Sequence, residues 1–212
     1  MNTLIINGSP NGRNGNTEIL SQKFIEGMQN KPEIQYICEM DPDILATNMN
    51  DYDSWLFFFP MYVNAMPGIV KRLFEHLKPN GVKKVGYFVQ YGFEESFQSD
   101  WLCSILKCFD QRMGFESLGT IVAGGMAGVR YMPSFMTKKT FEVMKKAGLY
   151  YEKHGMFDET TIHAFSHLYR YSNNQIKKNM FFSKIGLTNI TWNSMLKSND
   201  AYMLRFDKPF GE

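Results

Sequence analysis

Leu4-Ile5-Ile6-Asn7-Gly8-Ser9-Pro10 opens this chain, and Asn14-Gly15-Asn16-Thr17 leads into an apolar-periodic run through Ile19, Leu20, Phe24 and Met28. Continuous apolar residues ending in Asn, Gly, Ser and Pro read as a strand buried on both faces that leaves its sheet through a tight polar loop. The 3.6-residue spacing beyond reads as a helix. The first N–H groups of a helix have no partner within it and carry the positive end of its macrodipole, so such a loop suits a terminal phosphate. Ser9, Asn16 and Thr17 can add side-chain donors. There is no Gly-x-x-x-x-Gly-Lys-Ser/Thr for a nucleoside triphosphate and no Gly-x-Gly-x-x-Gly for a dinucleotide pyrophosphate. An ordinary strand-to-helix turn, with Asn16 or Thr17 as its cap, is the competing interpretation of the same residues.

Working outward, apolar runs bounded by turn residues recur at Thr3–Asn7, 34–38, 54–59, Lys84–Gln90 and 119–123, which predicts five strands. Helical stripes lie between them: Ile69, Val70, Leu73, Phe74 and Leu77, then Trp101, Leu102, Ile105, Leu106, Phe109 and Met113. Pro67 and Pro79-Asn80-Gly81 bracket the first of these. The segment 39–53 is short and rich in Asp, Asn and Met, and no full helix is expected there. Alternating strands and helices with right-handed crossovers give a doubly wound α/β fold with a five-stranded parallel sheet, and the flavodoxin-like order 2-1-3-4-5 is the one expected of it. A helix is expected over 134–153. Residues 1–155 are read as the main domain, and 156–212 as an irregular, partly helical extension packed on it or on a dimer partner. Its scattered aromatics, among them Tyr169, Tyr171, Phe181, Trp192 and Tyr202, do not suit a free tail.

Composition narrows the function. The 212 residues carry 23 basic and 21 acidic side chains, a net charge of +2, which gives no electrostatic case for nucleic acid or an anionic membrane. The apolar stretch at 55–63 falls far short of the roughly 20 residues of a membrane span, and a cytoplasmic location is expected. Cys38, Cys103 and Cys108 form no Cys-x-x-Cys pair, so neither a disulfide framework nor a thiolate-held cluster is indicated. His163 and His167 share helical spacing but lack the Glu of the metalloprotease pattern, and no metal is expected.

Two further loops carry chemistry. Phe59-Pro60-Met61-Tyr62-Val63-Asn64-Ala65-Met66-Pro67-Gly68 follows the third strand, its prolines presenting a stiff edge and an aromatic ring to a flat ligand. Gln90-Tyr91-Gly92-Phe93-Glu94-Glu95-Ser96 follows the fourth, where Gly92 permits close approach and Tyr91 or Phe93 can cover a ring. In the order 2-1-3-4-5 the ends of strands one, three and four are neighbours.

These motifs resemble the flavodoxin-like NAD(P)H-dependent oxidoreductases of the NADPH-dependent FMN reductase superfamily. The likeness extends through Gly8-Ser9-Pro10, Gly15-Asn16-Thr17, Pro60-Met61-Tyr62, Met66-Pro67-Gly68 with Lys71, and Gly92-Phe93-Glu94-Glu95. It continues in Gly119-Thr120, Gly124-Gly125, Gly128-Val129-Arg130, Trp192-Asn193 and 205–209. The resemblance implies FMN, its phosphate on Ser9, Asn16 and Thr17. Arg13 stands in for the arginine that the family often carries where this chain has Asn11. The isoalloxazine is implied between Pro60, Met61, Tyr62 and Val63 on one side and Tyr91, Gly92, Phe93 and Glu94 on the other. Iron–sulfur relatives carry a cysteine cluster between strands two and three, where this chain has Cys38 alone, so no cluster is inferred.

The implied reaction takes hydride from NADPH or NADH and passes electrons to a small acceptor, a quinone, a nitro or azo compound or a flavin, by a ping-pong route. No acid or base residue is needed, and none is assigned as catalytic. A homodimer is implied by the dimeric reductases of the family. The alternative is a flavodoxin-type carrier that binds FMN without reacting with a nicotinamide, a role that a +2 chain fits poorly. A third reading, a flavin-free interaction module, is opposed by the intact loops.

Overall fold

The computed structural model describes residues 1–166, 168–186 and 189–208, apart from the side chains of Ile190 and Thr191. His167, Pro209 and the final residues of the predicted extension lie outside that set. Among the described residues the strands are β1 (Thr3–Asn7), β2 (Glu33–Tyr36), β3 (Ser54–Pro60), β4 (Lys84–Gln90) and β5 (Glu116–Ala123). They form one parallel sheet in the order β2-β1-β3-β4-β5.

The continuous apolar runs are explained by helices on both faces. Leu4 and Ile6, Trp55, Phe57 and Phe59, and Val85, Tyr87 and Val89 point to one side. There they pack with Leu45 and Met49 of α2 (Pro42–Met49), Val70 and Leu73 of α3 (Gly68–His76), and Leu102 and Leu106 of α4 (Asp100–Met113). Ile5, Leu56, Phe58, Phe88 and Ile121 point to the other. They meet Leu20 and Phe24 of α1 (Asn16–Glu26) and Met144, Ala147 and Tyr151 of α5 (Ser134–His154). Each large apolar side chain so enclosed contributes about 1.5–3 kcal/mol. Two large buried polar side chains find partners inside: Trp55 Nε1–H donates to the Met49 carbonyl at 2.7 Å, and the Tyr151 hydroxyl donates to Ser54 Oγ at 2.7 Å.

Three predicted boundaries need correction. The segment 39–53 contains a helix after all. Asp41 caps α2, accepting from the Asp43 N–H at 2.9 Å, Pro42 stands in its first turn, and Leu45, Ala46 and Met49 bury its inner face. An Asp-Pro start was the available signal. Strand β2 ends at Tyr36 because Ile37–Glu39 turns into one 3-10 turn. Strand β5 starts at Glu116, ahead of the predicted 119, its first residues being solvated at the sheet edge. An irregularity in the β4–β5 register lies beside Gly119, whose φ is 87°.

Beyond α5 the chain is more helical than predicted, with α6 (Glu159–Ser166), α7 (Asn173–Lys184) and α8 (Asn189–Ser198). Phe157, Ile162 and Phe165 pack into the α1/α5 side of the core, so the extension begins as part of the domain. Helix α7 opens with a Ser172/Gln175 capping box and buries none of its residues. Among the described residues no helix is long and apolar enough to cross a membrane.

The α1–α5 contact is set by backbone approach. A Cβ on Gly148 would stand 1.9 Å from the Phe24 carbonyl oxygen, and one on Gly27 1.9 Å from that of Lys145. Gly→Ala inside a helix ordinarily gains about 0.5–1 kcal/mol. Here the added methyl meets backbone that can move only by separating two helices. Gly148→Ala is therefore expected to destabilise the protein by about 3 kcal/mol, read as a lowered denaturant midpoint.

Candidate functional site

At the carboxyl edge of the sheet, β1 ends at Asn7 opposite Phe58, and β3 runs two residues further, to Pro60 opposite Gln90. The turns leaving β1, β3 and β4 therefore stand side by side. They enclose a cleft of about 330 Å³ lined by Ser9, Asn11, Gly15, Asn16, Pro60, Met61, Tyr62, Gln90, Tyr91, Gly92 and Ala127.

The first turn is built around a fully buried amide. Asn7 Oδ1 accepts from the Ser9 N–H at 3.0 Å, and its Nδ2 donates to Glu18 at 3.1 Å. Glu18 also accepts from the Tyr36 hydroxyl at 3.0 Å, and burial together with that carboxylate pushes the Tyr36 phenol up to about 12. This chain of bonds joins the end of β1 to α1 and β2. Ser9 is buried, and its Oγ accepts from the Asn11 N–H at 3.2 Å, so the hydroxyl proton can be donated to an anion. Gly15 makes room for it, since a Cβ there would lie 2.7 Å from Ser9 Oγ. Gly15 is also the N-cap of α1, no side chain caps this helix, and Gly15 and Asn16 line the cleft, so the helix begins there with its leading N–H groups uncapped. None of the eleven lining residues carries a formal charge at neutral pH, and burial raises both Tyr62 and Tyr91. An anion here would be held by helix dipole and hydrogen bonds.

The second turn begins with the Met61 N–H donating to the Gln90 carbonyl at 2.8 Å. Tyr62 and Ala65 then exchange both backbone bonds around Val63 and Asn64, whose φ values of 48° and 62° are left-handed, as in a type I′ turn. A β-branched residue is strained there. In the third turn the Tyr91 hydroxyl donates to the Glu95 carbonyl at 3.1 Å, and the carbonyls of Phe93 and Tyr91 accept from the N–H groups of Gly125 and Met126, each at 2.8 Å.

Seven of the twelve residues expected from the sequence line the cleft: Ser9, Asn16, Pro60, Met61, Tyr62, Tyr91 and Gly92. Five do not. Arg13 is turned toward β2, where Nε and Nη2 meet the Glu39 carboxylate at 2.9 and 3.0 Å and the guanidinium lies 4.0 Å over Tyr36. Thr17 is buried, its Oγ1 accepting from Gln90 Nε2 at 3.4 Å. Val63 stands 98% exposed at the turn's tip, and Phe93 and Glu94 are exposed at the rim. Asn16 lines the cleft, but its Nδ2 is spent on the carbonyls of Met126 and Ala127 at 3.2 and 2.7 Å rather than left for a phosphate. Those carbonyls belong to a fourth wall, the turn after β5. Gly124-Gly125 signalled a turn there, yet nothing local shows that it folds back onto α1.

Replacing Asn7 with Ala is expected to cost about 2 kcal/mol in chemical unfolding, because the Ser9 N–H loses its partner in a buried site. Val63→Asn is expected to raise stability by about 1 kcal/mol by relieving left-handed strain at an exposed position, read as a higher unfolding midpoint.

No family model matches the chain, and no curated protein matches it in sequence. Solved structures do. NADPH-quinone reductase from P. pentosaceus superposes with a TM-score of 0.54 at 17% identity, covering 69% of this chain and 96% of that one. NAD(P)H:quinone oxidoreductase from Methanothermobacter marburgensis gives 0.57 at 13%, covering 72% and 98%. General stress protein 14 from Treponema denticola, solved in complex with FMN, gives 0.56 at 12%, covering 72% and 98%. With the strand order and the parallel pairing, this likeness identifies the flavodoxin-like fold.

Proposed function

We propose that this protein is an FMN-dependent oxidoreductase that takes hydride from NADPH or NADH and passes electrons to a small acceptor. One observation carries the reading: the uncapped start of α1 and the Ser9 hydroxyl meet, within one cleft, the proline-stiffened turn at Pro60-Met61-Tyr62 and the turn at Tyr91-Gly92. A ligand with a phosphate at one end and a planar ring at the other matches both ends. The fold neighbours named as quinone reductases, and the one solved with FMN, support the same assignment. When bound, FMN would supply the two-electron chemistry.

The protein's own part is positional. Backbone N–H groups of α1 and the Ser9 hydroxyl would hold the phosphate. Buried Met61 and Tyr91 would back the ring, since both also belong to the core and cannot swing aside without opening it. Exposed Tyr62 and Phe93 stand at the rim, where a second flat molecule could stack. A single open face serving donor and acceptor in turn leads to ping-pong kinetics, with a quinone, a nitro or azo compound or a flavin as acceptor. No side chain is required as acid or base.

We further read the protein as a cytoplasmic homodimer without nucleic-acid or membrane partners. Three free cysteines fit a reducing compartment, and the exposed Met180, Phe181, Trp192 and Phe206 of the extension fit contact with a second copy.

The test is anaerobic titration of the FMN-loaded protein with each nicotinamide. Bleaching of the visible flavin band within seconds, with parallel double-reciprocal lines in steady state, is the expected result. Binding of FMN without bleaching by either nucleotide would transfer the assignment to an electron carrier. Absence of FMN binding would remove both.

A further inference from the structure

The C-terminal extension grips one wall of the cleft. The Ser96 N–H donates to the Leu168 carbonyl at 2.8 Å and the Phe97 N–H to the Tyr169 carbonyl at 3.2 Å. The Tyr169 hydroxyl donates to Asp100 Oδ2 at 2.8 Å, and the Arg170 guanidinium lies 4.2 Å over the Phe97 ring. These contacts fasten the extension to residues 96–100, outside the cleft. Tyr171 reaches further: its N–H donates to Glu95 Oε1 at 2.8 Å, and its hydroxyl donates to Glu94 Oε2. The Glu95 carbonyl accepts from the hydroxyl of Tyr91, which lines the cleft.

The turn held in this way has physical reasons to need holding. Gly92 gives it conformational freedom that must be lost on ordering. Glu94 and Glu95 are consecutive carboxylates of one short turn, each in need of a donor. Tyr171 supplies a donor to each, one from its backbone and one from its side chain. Burial and the Glu94 carboxylate push the Tyr171 phenol up to about 12, so it stays a donor across the working pH range.

We propose that Tyr171 is a positioning residue of the cleft: its hydroxyl, bonded to Glu94 beside the backbone bond to Glu95, holds the 91–95 turn in the shape that receives the planar ring, and so sets ring affinity without touching the ligand. The inference rests on the flavin reading above and deepens it. Because Tyr171 acts on the ring wall and not on α1, its effect is the same for FMN and for riboflavin, which lacks the phosphate. The remaining strap contacts provide the control, since Tyr169 anchors the same segment through Asp100 and does not reach the 91–95 turn.

The experiment uses the full chain, comparing Tyr171→Phe and Tyr169→Phe with the unaltered protein. Two measurements are made: hydrogen exchange of the amides of residues 91–97 without flavin, and binding of FMN and riboflavin by fluorescence quenching. Tyr171→Phe is expected to speed exchange in that window and to weaken both flavins by a common factor of about five, leaving their affinity ratio unchanged. Tyr169→Phe is expected to leave both affinities within about twofold. Unchanged exchange and affinity in Tyr171→Phe, a loss confined to FMN, or an equal loss in Tyr169→Phe would overturn the proposal. If the unaltered protein binds neither flavin, the proposed function fails and the ring-positioning role fails with it. The exchange data then still decide whether Tyr171 holds the turn.

Discussion

The carboxamide of Asn7 holds the working edge of this molecule together. It sits at the last residue of β1 with no solvent exposure, accepting from the turn it precedes and donating to a carboxylate on the helix that follows. An amide can do both at once, which neither a carboxylate nor an aliphatic side chain of similar size can. Because Glu18 also accepts from Tyr36, the orientation of α1 is referred to two adjacent strands. The start of α1 is aimed into the cleft as a consequence, and an uncapped helix start is useful to an anion only when its direction is fixed.

The core explains why this edge is rigid. Strands buried on both faces lock the ends of β1, β3 and β4 in register, and Met61 and Tyr91 continue that core into the cleft. The helices on the α1/α5 side approach until backbone meets glycine at Gly27 and Gly148, so α1 cannot shift without disturbing α5. The ligand end of α1 and its distant packing face are thereby one mechanical unit. The left-handed, β-branched Val63 stands at an exposed tip, outside the lining.

The extension joins the site in two different ways. Phe157, Ile162 and Phe165 are core residues by packing, whereas residues 168–171 act on the turn after β4 by hydrogen bonds. Helix α7 buries none of its residues and leaves Met180 and Phe181 exposed.

Much of this was legible in the sequence, because burial on both faces and chain reversal leave local marks. Continuous apolar runs located β1, β3 and β4 closely, proline and glycine marked the turns after them, and the expected order 2-1-3-4-5 is the one the sheet has. Ser9, Pro60, Tyr62, Tyr91 and Gly92 could be assigned to neighbouring loops on that basis, and Met61 through the family resemblance. What the sequence could not decide is where polar side chains spend their hydrogen bonds, since partners far apart in the chain compete for them. Arg13 goes to Glu39, Thr17 to Gln90, and Asn16 to carbonyls more than a hundred residues away. Local pattern determined the fold and the position of the cleft; tertiary contact decided which donors remain in it, because a hydrogen-bonding group is available to a ligand only after the folded chain has made its own claims.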